Sequence, residues 1–241
     1  MKIAKTAQLI TPVKNWDELL NGKRLQTQTQ TQIEKYLPRC FGYYLLKLGH
    51  LSCSLNTTLS PIRHHVNCAA NENNIDLQAD LQQLPLQDAS IDLCIVAHEL
   101  NYSNDPHQLL REIERVLTVD GTLMLSAYNP ISMFGFRSLF KPKNIKKTRL
   151  FFPNRVVDWL SVLGFEITQD QHFNFLPLEG NCLLSNYVEK LGQQYTPYFC
   201  SAYFIVAKKQ SAKMTHIKSP FKFKKRIINR QPIATRRPSR S

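Results

Sequence analysis

The chain has 241 residues, 43% of them apolar and 20% charged, enough to bury a sizeable core, which excludes disorder throughout. Thirteen prolines against eight glycines exclude a fold that depends on several glycine-rich loops. The net charge of +13 is unevenly placed: from Lys208 onward there are twelve Lys or Arg and no acid, leaving 19 basic against 18 acidic residues before it.

Met1 to Glu18 lacks the apolar run of a signal peptide, and no stretch reaches the roughly 18 apolar residues of a membrane helix. The six cysteines form no C-x-x-C pair, so they read as small hydrophobes in a reducing cytosol, and a cytoplasmic location is expected. Gly22 to Tyr36, with its Thr/Gln run, is expected to be a polar helix ended by Pro38. Phe41 to Leu48 and Arg63 to Ala70 are strand candidates, the first stopped by Gly49. Ile91 to Ala97 is almost continuously apolar, as a strand buried on both faces of a parallel sheet must be. Asp105 then reads as a helix N-cap, with Pro106 at the first helical position and Gln108 at the reciprocal capping place. Leu109, Leu110, Ile113, Val116 and Leu117 follow at helical spacing, and Gly121 is expected to close the unit. Thr122 to Ala127 is the next strand, Asn154 to Leu163 a helix stopped by Gly164, and Phe165 opens another strand. Ser201 to Ala207 is the last strand. Alternating strands and helices predict an α/β fold with a mainly parallel sheet.

The chain thus divides into one domain over residues 1–209, with a helical lead-in over 1–40, and a basic tail over 210–241. So charged a tail cannot fold on itself. It is either a solvated appendage or a polyanion-binding segment for RNA or an anionic membrane surface. Phe221 and Phe223 alternate with Lys222 and Lys224, which suits base stacking and interfacial anchoring equally.

In an open α/β sheet, ligands bind beyond the carboxyl ends of the strands. The residues there are Leu48-Gly49-His50, Ala79-Asp80-Leu81 and Ala97-His98-Glu99. Several pieces fall in a familiar order: Ala79-Asp80 with Leu84-Pro85, Ser90-Ile91-Asp92, His98-x-Leu100, Asp105-Pro106, Leu110-Arg111-Glu112, Arg115-Val116-Leu117, and Gly121. Trp159-Leu160, Leu163-Gly164-Phe165-Glu166 and Tyr203 to Lys209 continue it. This pattern resembles a class I S-adenosylmethionine-dependent methyltransferase of the type 11 group. Asn129-Pro130-Ile131-Ser132 with Trp16, Gly22 and Gly42 is similar to an uncharacterised YafS-like bacterial branch. The resemblance implies a Rossmann-like seven-stranded sheet with one antiparallel strand near an edge, helices on both faces, and S-adenosyl-L-methionine as cofactor.

Residue by residue, it implies that Asp80 accepts a hydrogen bond from the adenine amino group while Leu81 offers its backbone amide. Ala97 and His98 would flank the methionine part, and Leu48 with Gly49 would form the close approach after the first strand. His98 is also the weak candidate for a catalytic group. The family loop is acidic-x-Gly-x-Gly-x-Gly, whereas here Lys47, Leu51 and Cys53 stand at the acid and at the second and third glycines. No clear acid ends the second strand, where Asn67 to Ala69 stand and Glu72 is a loose candidate. Bland alternatives stay open: Asp80 as a turn cap, and His98 as a buried strand-end histidine. The cluster His64, His65 and Cys68 invites a metal reading, but neighbouring strand residues face opposite sides, and no metal is expected. Cys94 and Cys182 lack the neighbours that activate a thiol.

The expected function is methyl transfer to an unidentified acceptor, most simply a small molecule. Two alternatives are a catalytically eroded binding module with an RNA- or membrane-contacting tail, and a nucleic-acid methyltransferase. The absence of any G-x-G-x-x-G after a strand disfavours a nicotinamide dehydrogenase. Aromatic segments 128–140 and 173–198 are candidates for a lid over an apolar acceptor, with core packing as the alternative.

Overall fold

Strand β4, Ile91–Ala97, lies at the centre of the sheet and shows why the apolar run was continuous: both of its faces are covered. Leu93, Ile95 and Ala97 join one apolar cluster, while Cys94 and Val96 join another on the opposite face. The computed structural model describes residues 12–19, 21–70, 75–131, 148–173 and 200–210. These form a seven-stranded sheet in the order β3-β2-β1-β4-β5-β7-β6. The strands are β1 Tyr44–Leu48, β2 His64–Ala69, β3 Leu77–Gln78, β4, β5 Leu117–Tyr128, β6 Phe165–Phe173 and β7 Ala202–Lys209. Strand β7 runs antiparallel to both β5 and β6, and the other pairs are parallel. The expected Rossmann-like sheet with one reversed strand is therefore present.

Helix α1, Gly22–Tyr36, occupies the expected span. Its Thr/Gln run is accommodated because Leu25, Thr29, Gln32 and Ile33 make one buried stripe. Thr27 and Thr31 donate their hydroxyls to the carbonyls of Lys23 and Thr27, and the Gln30 amide bonds both the N–H and the carbonyl of Asn56. Leu25 and Ile33 pack with Trp16 over the face of β4 that carries Leu93 and Ile95. On the other face lie α4, Pro106–Val116, and α5, Pro153–Val162, through Leu109, Ile113, Trp159 and Leu160. Two single-turn helices, α2 at His50–Cys53 and α3 at Glu99–Tyr102, follow β1 and β4 directly.

Two local expectations are corrected. Asp105 caps α4 by accepting from the N–H groups of His107 and Gln108, but Gln108 does not return the bond. Its side-chain amide instead donates to the Gln82 carbonyl and accepts from Arg111. Gly121 does not close α4: the helix ends at Val116, and β5 starts at Leu117, which is fully buried and pairs with Ile91. The residues between Leu117 and Thr122 form an irregularity opposite Ile91 and Leu93, with Asp120 in the left-handed region at φ 67°. The burial of Leu117 outweighs the glycine signal. By contrast, α5 ends where expected, with Gly164 at φ +83°.

The strand order reverses between β1 and β4, so a crevice opens beyond their carboxyl ends. The loop from β3 to β4 is fastened beside it by Arg115 of α4. Arg115 donates to the carbonyls of Leu84 and Leu86 at 2.8 Å each, pairs with Glu112 at 2.9 Å and contacts Asp88. Glu112 in turn accepts from the Leu84 N–H at 3.1 Å.

Candidate functional site

The first wall of the crevice is the turn from β1 into α2. Gly49 has φ +90° and its N–H donates to the Cys68 carbonyl at 2.8 Å. A Cβ here would lie 2.3 Å from Oε2 of Glu99, so only glycine lets the backbone come this close. Leu51 and Cys53, at the family's second and third glycines, belong instead to α2. Ser52 ties that turn down by donating to the Leu48 carbonyl at 2.6 Å and accepting from the Ala97 N–H at 2.8 Å. Lys47, at the family's acidic position, donates to the carbonyls of Leu55 at 3.1 Å and Cys53 at 3.4 Å. Burial lowers its pKa from the ordinary lysine value. Its ammonium therefore holds the chain after α2 and does not line the crevice.

The second wall is the loop after β3. The crevice is lined by His50, Asp80, Leu81, Glu99 and Tyr102, among others. Asp80 is exposed, and its Oδ1 accepts from the Gln82 N–H at 2.9 Å, so it does cap a turn while also bordering the crevice. The Gly49 turn, Asp80 and Leu81 are thus gathered in one place.

Leu48 and Ala97 are not. Both are buried, in opposite apolar clusters, and the Ala97 amide is taken by Ser52. His98 is also away from the crevice lining. It is fully buried at φ 55°, with its ring centroid 4.3 Å from that of Tyr128 and 5.8 Å from that of Trp16. Among the described residues neither ring nitrogen has a hydrogen-bond partner. Burial pushes its pKa down to about 3, so the imidazole is neutral. Because His98 takes the left-handed conformation, the next residue is the one that reaches the crevice. The sequence places Glu99 at this strand end but assigns it no role; its only signal is an acid two residues beyond the end of β4.

Burial raises Cys94 far above the ordinary thiol value and Cys200 to about 11. His64 lies against Tyr44, while His65 bonds Thr57 and the Ile62 carbonyl. Glu72, Cys182 and the tail lie outside the described residues. So do the two aromatic segments, apart from their ends, where Tyr128 and Phe173 are core residues.

A family model described as a methyltransferase domain matches residues 41–125. The uncharacterized protein YafS of Escherichia coli is 36% identical over 197 residues, covering 80% of this chain and 82% of YafS. The chain belongs to the class I, type 11 methyltransferase-domain family, in the YafS branch. A malonyl-[acyl-carrier protein] O-methyltransferase of Laribacter hongkongensis is 40% identical over 62 residues, only 21% of that protein's length. A SAM-dependent methyltransferase from Archaeoglobus fulgidus shares the fold of this methyltransferase-domain chain. Its TM-score is 0.55 at 16% identity, covering 76% of this chain and 94% of that one.

Among the described residues no helix is long and apolar enough to cross a membrane. The residues present fit a cationic, amino-bearing cofactor such as S-adenosylmethionine: a glycine turn where the backbone comes close, and two acids in the lining, Asp80 and Glu99.

Proposed function

We propose that this chain is an S-adenosylmethionine-dependent methyltransferase whose cofactor lies in the crevice between the Gly49 turn and the Asp80 loop. The gathering of Asp80, Leu81 and His50, the residue after Gly49, around one crevice at the strand-order reversal supports this reading most directly. When bound, the cofactor supplies an already activated methyl group. The protein's part is then to orient the acceptor in line and exclude water. Asp80 would accept from the adenine amino group and Leu81 would offer its amide. The acceptor is proposed to be a small molecule, and no catalytic base is assigned, since His98 is buried and faces Trp16 and Tyr128.

The test is calorimetric titration of the full chain with S-adenosylmethionine and S-adenosylhomocysteine. Both are expected to bind, and Asp80→Ala should weaken them about tenfold to a hundredfold through loss of one acceptor. Unchanged affinity in that variant would remove Asp80 from the site. One observation favours a second reading: the glycine loop is replaced by α2, stapled by Ser52 and Lys47. If neither ligand gives heat, the domain is a methyltransferase-like binding module. In either case the basic segment 210–241 is proposed to contact a polyanion, either RNA or an anionic membrane surface.

A further inference from the structure

The carboxyl group of Glu99 is the least explained feature of the crevice. It is 5% exposed, yet it lines the crevice and lies against the α-carbon of Gly49. Among the described residues no hydrogen-bond donor or cation engages it, and desolvation alone raises its pKa from 4.5 to about 7. An acid this buried that lines a crevice is matched by a ligand bearing a positive charge and N–H donors. The other acid of the lining, Asp80, is on the opposite wall, after β3.

We propose that Glu99 is the group that receives the α-ammonium of the cofactor's amino-acid portion. Lys47 stands at the acidic position of the family loop, and the acid that faces the crevice from beside Gly49 is Glu99, two residues beyond the end of β4. This rests on the cofactor reading above and assigns that ligand's direction in the crevice: adenine toward Asp80, amino acid toward Glu99. Besides meeting the positive φ, glycine at position 49 leaves the receiving carboxylate in place, where a side chain would have to push it aside.

Binding an ammonium requires Glu99 to ionise. The other titratable groups around the crevice are His50 from α2, Asp80 from the β3 loop and Tyr102 from the same turn as Glu99, with Glu18 acting on Tyr102 from the lead-in. The experiment is titration of the full chain with S-adenosylhomocysteine at pH 6, in cacodylate and in Bis-Tris, whose ionisation enthalpies differ. The same titration uses the deamino analogue, which lacks only the α-amino group. The wild-type chain should release close to one proton on binding S-adenosylhomocysteine and should bind the deamino analogue about tenfold to a hundredfold more weakly.

Glu99→Gln should release no proton and should bind the two ligands alike. Equal affinity of the wild-type chain for both ligands overturns the proposal, and that comparison needs no variant to fold. Retention of proton release in Glu99→Gln also overturns it. If wild-type chain binds neither ligand, the cofactor reading itself falls and takes this assignment with it. If it binds both equally, only the role of Glu99 is lost.

Discussion

Glu99 and His98 are adjacent, both buried, and titrate in opposite directions for one reason: each is kept neutral by removal from water. For Glu99 this has a measurable consequence in the ligand-free protein. The unfolded chain loses the proton near 4.5, while the folded chain holds it to about 7. Between those values the native state binds more protons, so its stability falls as pH rises, at up to about 1.4 kcal/mol per pH unit. Glu99→Gln removes the titration. The melting temperature of wild type minus that of Glu99→Gln should therefore decline from pH 4.5 to pH 7, and a flat difference would show that the carboxyl is solvated. The acid was legible in the sequence only as a residue near a strand end. Which of His98 and Glu99 reaches the crevice depends on the left-handed backbone at His98, and a β-region conformation there would aim the chain differently.

Among the elements, α4 does two things. Its apolar side, with Leu109 and Ile113, covers the sheet, and its Arg115 and Glu112 hold the loop that carries Asp80. Arg115→Met keeps the stem and removes the fork, leaving the Leu84 and Leu86 carbonyls without their donor. It should lower stability by about 1–3 kcal/mol in denaturant unfolding and weaken S-adenosylhomocysteine binding at the same time. Lost stability with unchanged binding would separate the fork from the site. The helix itself was readable from its spacing and from Asp105-Pro106, and Arg115 was visible as a motif position. Its partners were not, because two of them are backbone carbonyls about thirty residues away. Likewise, a sequence pattern cannot show that Leu117 would leave the helical stripe to pair with Ile91.

Across the whole molecule, charge is the dominant asymmetry: nineteen basic and eighteen acidic residues precede Lys208, and twelve basic residues and no acid follow from it. Single-stranded RNA binding by the full chain should weaken with salt, with a log–log slope of about −0.7 per phosphate contact. A chain ending at Lys209 should lose that binding while keeping its melting temperature. Retained RNA binding would place the contact on the domain, and preference for anionic vesicles over RNA would make the segment a membrane contact.

The sequence by itself determined the α/β class, the parallel centre around Ile91–Ala97, the α1 span, the start of α4, and the family, because these follow from periodicity, caps and ordered short motifs. It also marked Gly49 and Asp80, since each directly follows a strand or its loop. Only the tertiary structure decided that Lys47 turns away to hold α2, that Leu48, Ala97 and His98 belong to the interior, and that Glu99 stands over Gly49. Those outcomes depend on which way a side chain leaves a strand end, and that is set by backbone angles and by partners distant in the chain, which no local pattern encodes.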